Sequence, residues 1–188
     1  MKKTTIIIIA LFVMTAVLGI CFAVSESRNA EVKELCTASL YGGIRELTRE
    51  IASICESGEY GQQSRETIAA SLEQISNAVS VMNVYDQNFK TFSAGLFGLT
   101  QVLGMWSLQI NDFDAESVPY DGRVSDKELD FLWALRTDLD ALLAPMLAAD
   151  GLNMREGLTY SDMRDALKAF CLKYETWNPA YEPYDLLN

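Results

Sequence analysis

The chain has 188 residues, of which 49% are hydrophobic, and its 26 acidic and 15 basic residues give a formal charge of -11. Such acidity argues against nucleic-acid binding, which needs clusters of Lys and Arg. The apolar fraction excludes wholesale disorder, and the length is that of one ordinary domain. No histidine is present. Its absence excludes histidine-dependent nucleophiles and removes the commonest transition-metal ligand.

Residues 4–24 predict a membrane anchor. Lys2 and Lys3 precede an uncharged segment in which residues 6–24 are interrupted only by one threonine and one glycine. About 20 apolar residues span a bilayer core as a helix, whereas the apolar region of a cleaved signal peptide is usually about 7–15 residues. We therefore interpret residues 1–25 as an uncleaved N-terminal transmembrane helix, with a cleaved signal segment as the alternative.

The charges around this segment predict its orientation. The positive residues lie before it and Glu26 lies after it, which places the N-terminus in the cytoplasm and the remaining chain outside. We expect a single-pass protein of a prokaryotic cell membrane. Cleavage near Ala23 would instead give a secreted protein, and lipidation of Cys21 is a third alternative.

Apolar residues spaced alternately by three and four predict an all-α chain, with an up-down antiparallel bundle of four main helices and a short fifth helix in residues 26–176. The predicted core positions of helices one and two are Leu40, Ile44, Leu47, Ile51 and Ile54, then Ile68, Leu72, Ile75, Val79 and Met82. Those of helix three are Phe89, Phe92, Leu96, Leu99, Leu103, Trp106 and Ile110. Those of helices four and five are Leu132, Leu135, Leu139, Leu142 and Met146, then Met163, Leu167, Phe170 and Tyr174.

Local signals predict where several helices begin and end. Two glycines within residues 56–61 end helix one, and residues 111–124 have the composition of a loop. A capping box at residues 125–128 starts helix four, which Pro145 kinks or ends. Ser161 is expected to cap helix five. Two acidic residues of helix four, Asp138 and Asp140, are expected on its solvated face.

Helix three allows a second interpretation. Residues 91–111 carry no charge, and Gly95, Gly98 and Gly104 form a surface that another helix could approach closely, as in membrane helix pairs. A second transmembrane span is therefore conceivable. Several polar side chains inside the stretch, and the acidic Asp112 directly after it, favour a buried helix of the bundle.

One loop places acidic side chains at alternate positions, as at the opening of a calcium-binding loop: Asp112, Asp114, Glu116 and Asp121. Ser117 stands where the helix-loop-helix calcium motif needs glycine, and Arg123 stands where it needs a bidentate glutamate. The sequence therefore favours a solvated loop over a weak calcium site, and we expect no metal and no cofactor.

Three cysteines lie outside the apolar segment. Cys36 and Cys55 are separated by roughly 28 Å if one helix carries both, so they cannot pair with each other. The fold allows a disulfide between Cys55 and Cys171, although buried thiols are the simpler interpretation.

Residues 177–188 form a C-terminal tail in which two prolines oppose regular structure. Its aromatic residues are Trp177, Tyr181 and Tyr184. They either bind a partner or fold back over the bundle.

No catalytic motif is present, and scattered carboxylates alone give only a weak argument for an enzyme. We expect a membrane-anchored extracytoplasmic bundle that acts as a non-enzymatic interaction or scaffolding protein for an envelope or membrane protein partner. The alternative is a sensor-like ligand-binding bundle. An internal pocket formed by Gln101, Trp106 and Trp133 would favour the ligand-binding alternative, whereas an exposed apolar groove or patch would favour the interaction protein.

Overall fold

A computed structural model of the chain describes the backbone of residues 2–85, 92–103, 108–110, 113–115 and 122–174. Side chains are described within these ranges, except for residues 2–20, 92–94, 101, 108–110, 113–115 and 160. Five helices and two short strands follow one another: α1 (Lys2–Ser57), α2 (Gln62–Tyr85), α3 (Phe92–Leu103), β1 (Leu108–Ile110), β2 (Phe113–Ala115), α4 (Asp126–Leu143) and α5 (Tyr160–Lys173). The prediction of an essentially all-helical chain with five helices is confirmed.

The contacts divide the chain into two units, residues 1–35 and residues 36–188. Among the residues whose side chains are described, no helix combines the length and the apolar character that a membrane span requires. The anchor predicted at residues 4–24 lies almost entirely outside those side chains.

Helices α1 and α2 form an antiparallel pair. Gly58 follows the last residue of α1 with a φ of 68° and donates its amide hydrogen to the carbonyl of Ile54 at 2.8 Å. Glycine adopts this left-handed conformation without steric cost and ends the helix as predicted. Further along the pair, a Cβ added to Gly43 would lie 2.9 Å from Cγ1 of Ile75. The two helices therefore pack closely on either side of the turn.

The ends of α4 agree with the sequence signals. Ser125 Oγ accepts a hydrogen bond from the amide of Glu128 at 3.4 Å, and the Glu128 carboxylate accepts one from the amide of Ser125 at 2.6 Å. This is the predicted capping box. Helix α4 ends at Leu143, and Pro145 lies in the 3-10 turn that follows it. The predicted effect of Pro145 is confirmed.

The predicted cap of α5 was wrong. Thr159, not Ser161, is the N-cap: its hydroxyl accepts from the amide of Asp162 at 3.2 Å, while the Asp162 carboxylate accepts from the amide of Thr159 at 3.1 Å. This reciprocal pair satisfies two amides that a helix start leaves unpaired, whereas Ser161 lies inside the first turn.

Helix three is shorter than predicted. It ends at Leu103, and residues 108–110 instead pair as an antiparallel strand with residues 113–115. Gly104 disfavours helix in the sequence, and the register of the two strands places Ile110 opposite Phe113.

The helices of residues 36–188 share one apolar core. Every predicted core position whose side chain is described is buried. Four predicted positions, Phe89, Phe92, Trp106 and Ile110, lie outside the described side chains. The core also includes residues that the three-four spacing did not single out, among them Tyr60, Val102, Phe131 and Leu143.

Tyr60 joins the α1–α2 turn to the end of α3. Its side chain is fully buried, and its hydroxyl donates to the carbonyl oxygen of Leu103 at 2.6 Å. Burial raises the pKa of the Tyr60 hydroxyl to about 12. A buried hydrogen bond thus links the α1–α2 turn to the last described residue of α3.

We expect Tyr60→Phe to lower the free energy of unfolding by about 1–3 kcal/mol, because the buried Leu103 carbonyl loses its partner. Urea unfolding measures this loss. Tyr41→Phe is the control, since the Tyr41 hydroxyl donates to Leu152 O over a longer 3.3 Å and should contribute less. Because the folded-state pKa of Tyr60 is raised, its contribution is complete below about pH 10 and is lost as the pH rises toward 12. Equal losses in the two variants would contradict the prediction.

Candidate interaction surfaces on helices α4 and α5

Helices α4 and α5 enclose a groove of about 260 Å³, which we call the α4–α5 groove. Its apolar lining consists of Ala141, Leu142, Pro145, Ala166, Ala169 and Phe170. The three alanines lie on facing sides of the two helices, and their small side chains leave the space open. This surface is concave and predominantly apolar, as binding sites commonly are.

A polar cluster closes one end of the groove. The Asp138 carboxylate accepts from Lys173 Nζ at 2.7 Å and from the Tyr174 hydroxyl at 2.8 Å. Only 17% of the Asp138 side chain is exposed. The expectation that Asp138 lies on a solvated face was therefore wrong: it joins α4 to the end of α5, whereas Asp140 is exposed.

A second surface lies on the other flank of α4. Trp133 is 43% exposed, and the Arg136 guanidinium lies over its ring, 4.9 Å from the centroid. Arg136 Nη1 is 3.2 Å from the Glu56 carboxylate on α1, and Nε is 3.9 Å from that of Asp140. We call these four residues the Trp133 platform. Helical geometry places Trp133 roughly 130° around α4 from the groove.

The internal pocket considered from the sequence does not include Trp133. The Trp133 indole lies at the surface, and the Arg136 guanidinium lies over one face of it. The other two residues of that prediction, Gln101 and Trp106, lie outside the described side chains.

Both cysteines of the predicted disulfide are buried, and both are present as thiols. Burial raises the pKa of the Cys55 thiol to about 11, against the opposing effect of the Arg136 guanidinium. Cys55 is therefore protonated at neutral pH and is a poor nucleophile. Pairing of Cys55 with Cys171 on oxidation stays a prediction. Cys36 lies on α1 with Cys55, as expected, and burial also raises its pKa.

Two other predicted sites lie outside the description. Of the acidic loop, Asp114 is described only by its backbone in β2, and Asp112, Glu116 and Asp121 are not described. The tail with Trp177, Tyr181 and Tyr184 is not described either. Among the side chains that are described, no three His, Cys, Asp or Glu residues are grouped so that they could hold a metal ion.

No family model matches the chain, and no curated protein and no solved structure is significantly similar to it. The two surfaces described above are therefore the features of the chain that bear on its function. A helical bundle by itself does not imply an activity.

The structure adds residues that the sequence did not single out as functional. Ala141, Ala166 and Ala169 were overlooked because alanine is a common residue on any helix. They can be recognised only when the two helices are compared, because small residues at matching positions of two consecutive antiparallel helices leave a groove between them. Arg136 was overlooked because its role depends on the neighbouring Trp133.

Proposed function

We propose that the chain is a non-enzymatic interaction or scaffolding module with the fold of an up-down helical bundle. Residues 4–24 anchor it in a prokaryotic cell membrane, and residues 26–188 lie outside the cytoplasm. The partner is an envelope or membrane protein. The observation that carries the proposal is the Trp133 platform, a large aromatic side chain held at the surface rather than in a pocket.

The composition of the platform supports protein binding. Trp and Arg are the residue types most enriched among those that dominate protein–protein binding energy. Arg136 is already oriented by Glu56 and Asp140, so binding would cost less side-chain entropy than for an untethered arginine. The acidic surroundings favour a partner with basic groups near its contact residues.

A ligand-binding bundle is the second candidate, and the α4–α5 groove is the observation that favours it. The groove is apolar with one charged pair at its end, an arrangement suited to a small amphipathic molecule. Its volume of about 260 Å³ lies slightly below the usual range of ligand pockets, roughly 300–1,000 Å³. We therefore rank protein binding first.

The anchor is tested in native membranes. We expect the intact protein to remain in the membrane pellet after carbonate extraction, because a helix of about 20 apolar residues is held by the bilayer core. Protease added to spheroplasts should degrade residues 26–188. Intact mass shows whether the first 25 residues are retained. A soluble form whose N-terminus lies near Glu26 would overturn the anchor and favour the secreted alternative.

The interaction is tested by crosslinking the protein in its own membrane and identifying the partner by mass spectrometry. We expect Trp133→Ala to reduce the yield of the crosslinked partner about tenfold or more, as for a residue that dominates binding. Val84→Ala is the control, because Val84 is 80% exposed on α2, away from the platform. Equal yields from both variants and the wild type would exclude the platform as the contact.

A further inference from the structure

The outward side of α4 repeats with the same three-four spacing as its buried side. Five exposed residues follow one another at steps of four, three, four and three, which places them on one face of the helix. They are Asp126, Asp130, Trp133, Thr137 and Asp140, and we call them the α4 outer face. This face is about four turns or 21 Å long, and Trp133 lies at its middle.

The charges of the α4 outer face are all negative. The two basic residues of α4, Lys127 and Arg136, lie to either side of the face, and two carboxylates of the platform already hold Arg136. Neither Asp126 nor Asp130 forms an ion pair with any residue in the described part of the chain. The dipole of α4 favours Asp126 in the first turn, whereas Asp130 lies beyond that turn and is repelled by Asp126. The described contacts of the bundle therefore do not account for Asp130.

This charge indicates the class of partner. A second copy of the chain would bring the same acidic face, so like charges would oppose each other across the contact. Anionic lipid headgroups would be repelled in the same way. A protein surface that carries Lys and Arg is attracted instead, and charged contacts around a central aromatic residue match the polar rim and apolar centre of protein interfaces.

The spacing of the face indicates the shape of the partner. Packed helices lie about 8–10 Å apart, a distance that the long side chains of Lys and Arg can cross to a carboxylate. A helix laid along α4 presents its own side chains at steps of three and four, so its basic residues can meet the carboxylates on both sides of Trp133. An apolar residue between them covers the indole, which is 43% exposed.

We propose that the α4 outer face binds a basic amphipathic helix of the partner, about four turns long. Its Lys and Arg residues pair with Asp126, Asp130 and Asp140, and an apolar residue between them packs on Trp133. This interaction rests on the proposed function, because it takes the Trp133 platform as the contact and adds the chemistry and the shape of the partner.

A photoreactive amino acid in place of Thr137 tests the interaction in isolated native membranes. Thr137 is exposed on the same face, one turn after Trp133, and carries no charge. We expect crosslinking to a partner segment whose Lys and Arg residues recur with helical spacing, as mass spectrometry of the crosslinked peptides would show. Raising the salt from about 50 mM to about 500 mM should lower the yield severalfold, because salt screens attraction between exposed charges.

Charge reversal then locates the contact. Asp130→Lys should lower the yield about tenfold or more, and the variant should fold because it loses the repulsion from Asp126. Glu73→Lys on α2 is the matched control, since Glu73 is exposed, forms no ion pair with a described residue and gives the same change in net charge. It should stay within about twofold of the wild type, because salt screens a distant exposed charge. Replacing the contacting basic residue of the partner by Glu should restore the yield of Asp130→Lys.

Three outcomes would overturn the proposal, and they separate it from the proposed function. Loss of yield in Trp133→Ala with no effect of Asp130→Lys or of salt would exclude the basic helix and leave the Trp133 platform as the contact. Equal losses in Asp130→Lys and Glu73→Lys would mean that only the net charge of the chain matters. A yield that none of these substitutions changes, Trp133→Ala included, would overturn both this interaction and the proposed function.

Discussion

Leu103→Ala is expected to lower the free energy of unfolding by about 2–5 kcal/mol, a large part of the roughly 5–15 kcal/mol that stabilises an ordinary domain. Leu103 is 1% exposed, at the end of α3, and its carbonyl accepts the hydrogen bond from the buried Tyr60. Truncation leaves a cavity that this fixed environment can fill only in part, because the neighbouring turn is held by the same hydrogen bond.

Urea unfolding of residues 26–188 measures the effect, with two aspartates of α4 as graded controls. Asp140→Ala should change the stability by no more than about 0.5 kcal/mol, because Asp140 is exposed and lies 3.9 Å from Arg136. Asp138→Ala should give an intermediate loss of about 1–3 kcal/mol, because two donors on α5 lose their acceptor. Small, equal effects from Leu103→Ala and Asp140→Ala would show that α3 is not central to the core.

The core could be predicted from the sequence because its signal is local. On α1, α2, α4 and α5 the apolar residues repeat with the period of a helix, and burial of that face is the main way such helices gain stability. The same period wrongly predicted that helix three continues to Ile110. Trp106 and Ile110 continue the apolar spacing past Gly104, but the chain changes to a strand by Leu108. Periodicity indicates which face is buried and does not indicate where a helix stops.

The candidate surfaces were harder to predict, for two physical reasons. Trp133 was considered for an internal pocket because tryptophan is large and apolar, yet it follows Leu132 directly and so points about 100° away from that buried position. The α4–α5 groove depends on how two helices align across the intervening turn. The alanines on either helix alone do not indicate a groove. They face each other only because of this alignment, which the contact between Asp138 and Lys173 stabilises.

The close approach of α3 and α5 depends on Gly95. A Cβ at this position would lie 2.6 Å from the carbonyl oxygen of Cys171 and 3.1 Å from its Cα. Real Cβ atoms do not approach backbone atoms this closely, so the two helices would have to separate. The glycines of helix three predicted a surface for close helix contact, and at Gly95 the partner is α5 of the same bundle.

We expect Gly95→Val to lower the free energy of unfolding by about 3 kcal/mol and Gly95→Ala by about 1–3 kcal/mol, as overpacking of a dense core usually does. The gain of up to about 1 kcal/mol in helix propensity on replacing glycine by alanine opposes only part of this loss. Urea unfolding of residues 26–188 measures both variants.

Gly42→Ala on α1 is the matched control, because its added Cβ would lie 3.2 Å from Nε2 of Gln74, the end of a flexible side chain. The hydrogen bond from this atom to the carbonyl of Ser39 is exposed, so water can replace it if the side chain moves. The control variant should stay within about 0.5 kcal/mol of the wild type, since the gain in helix propensity offsets the small rearrangement. Equal stability of Gly95→Ala and Gly42→Ala would contradict this prediction. It would mean that α3 and α5 lie farther apart than a distance of 2.6 Å from the added Cβ to the Cys171 carbonyl oxygen implies. The loss expected for Gly95→Val would then also be smaller, because the wider spacing would leave room for a side chain between the two helices.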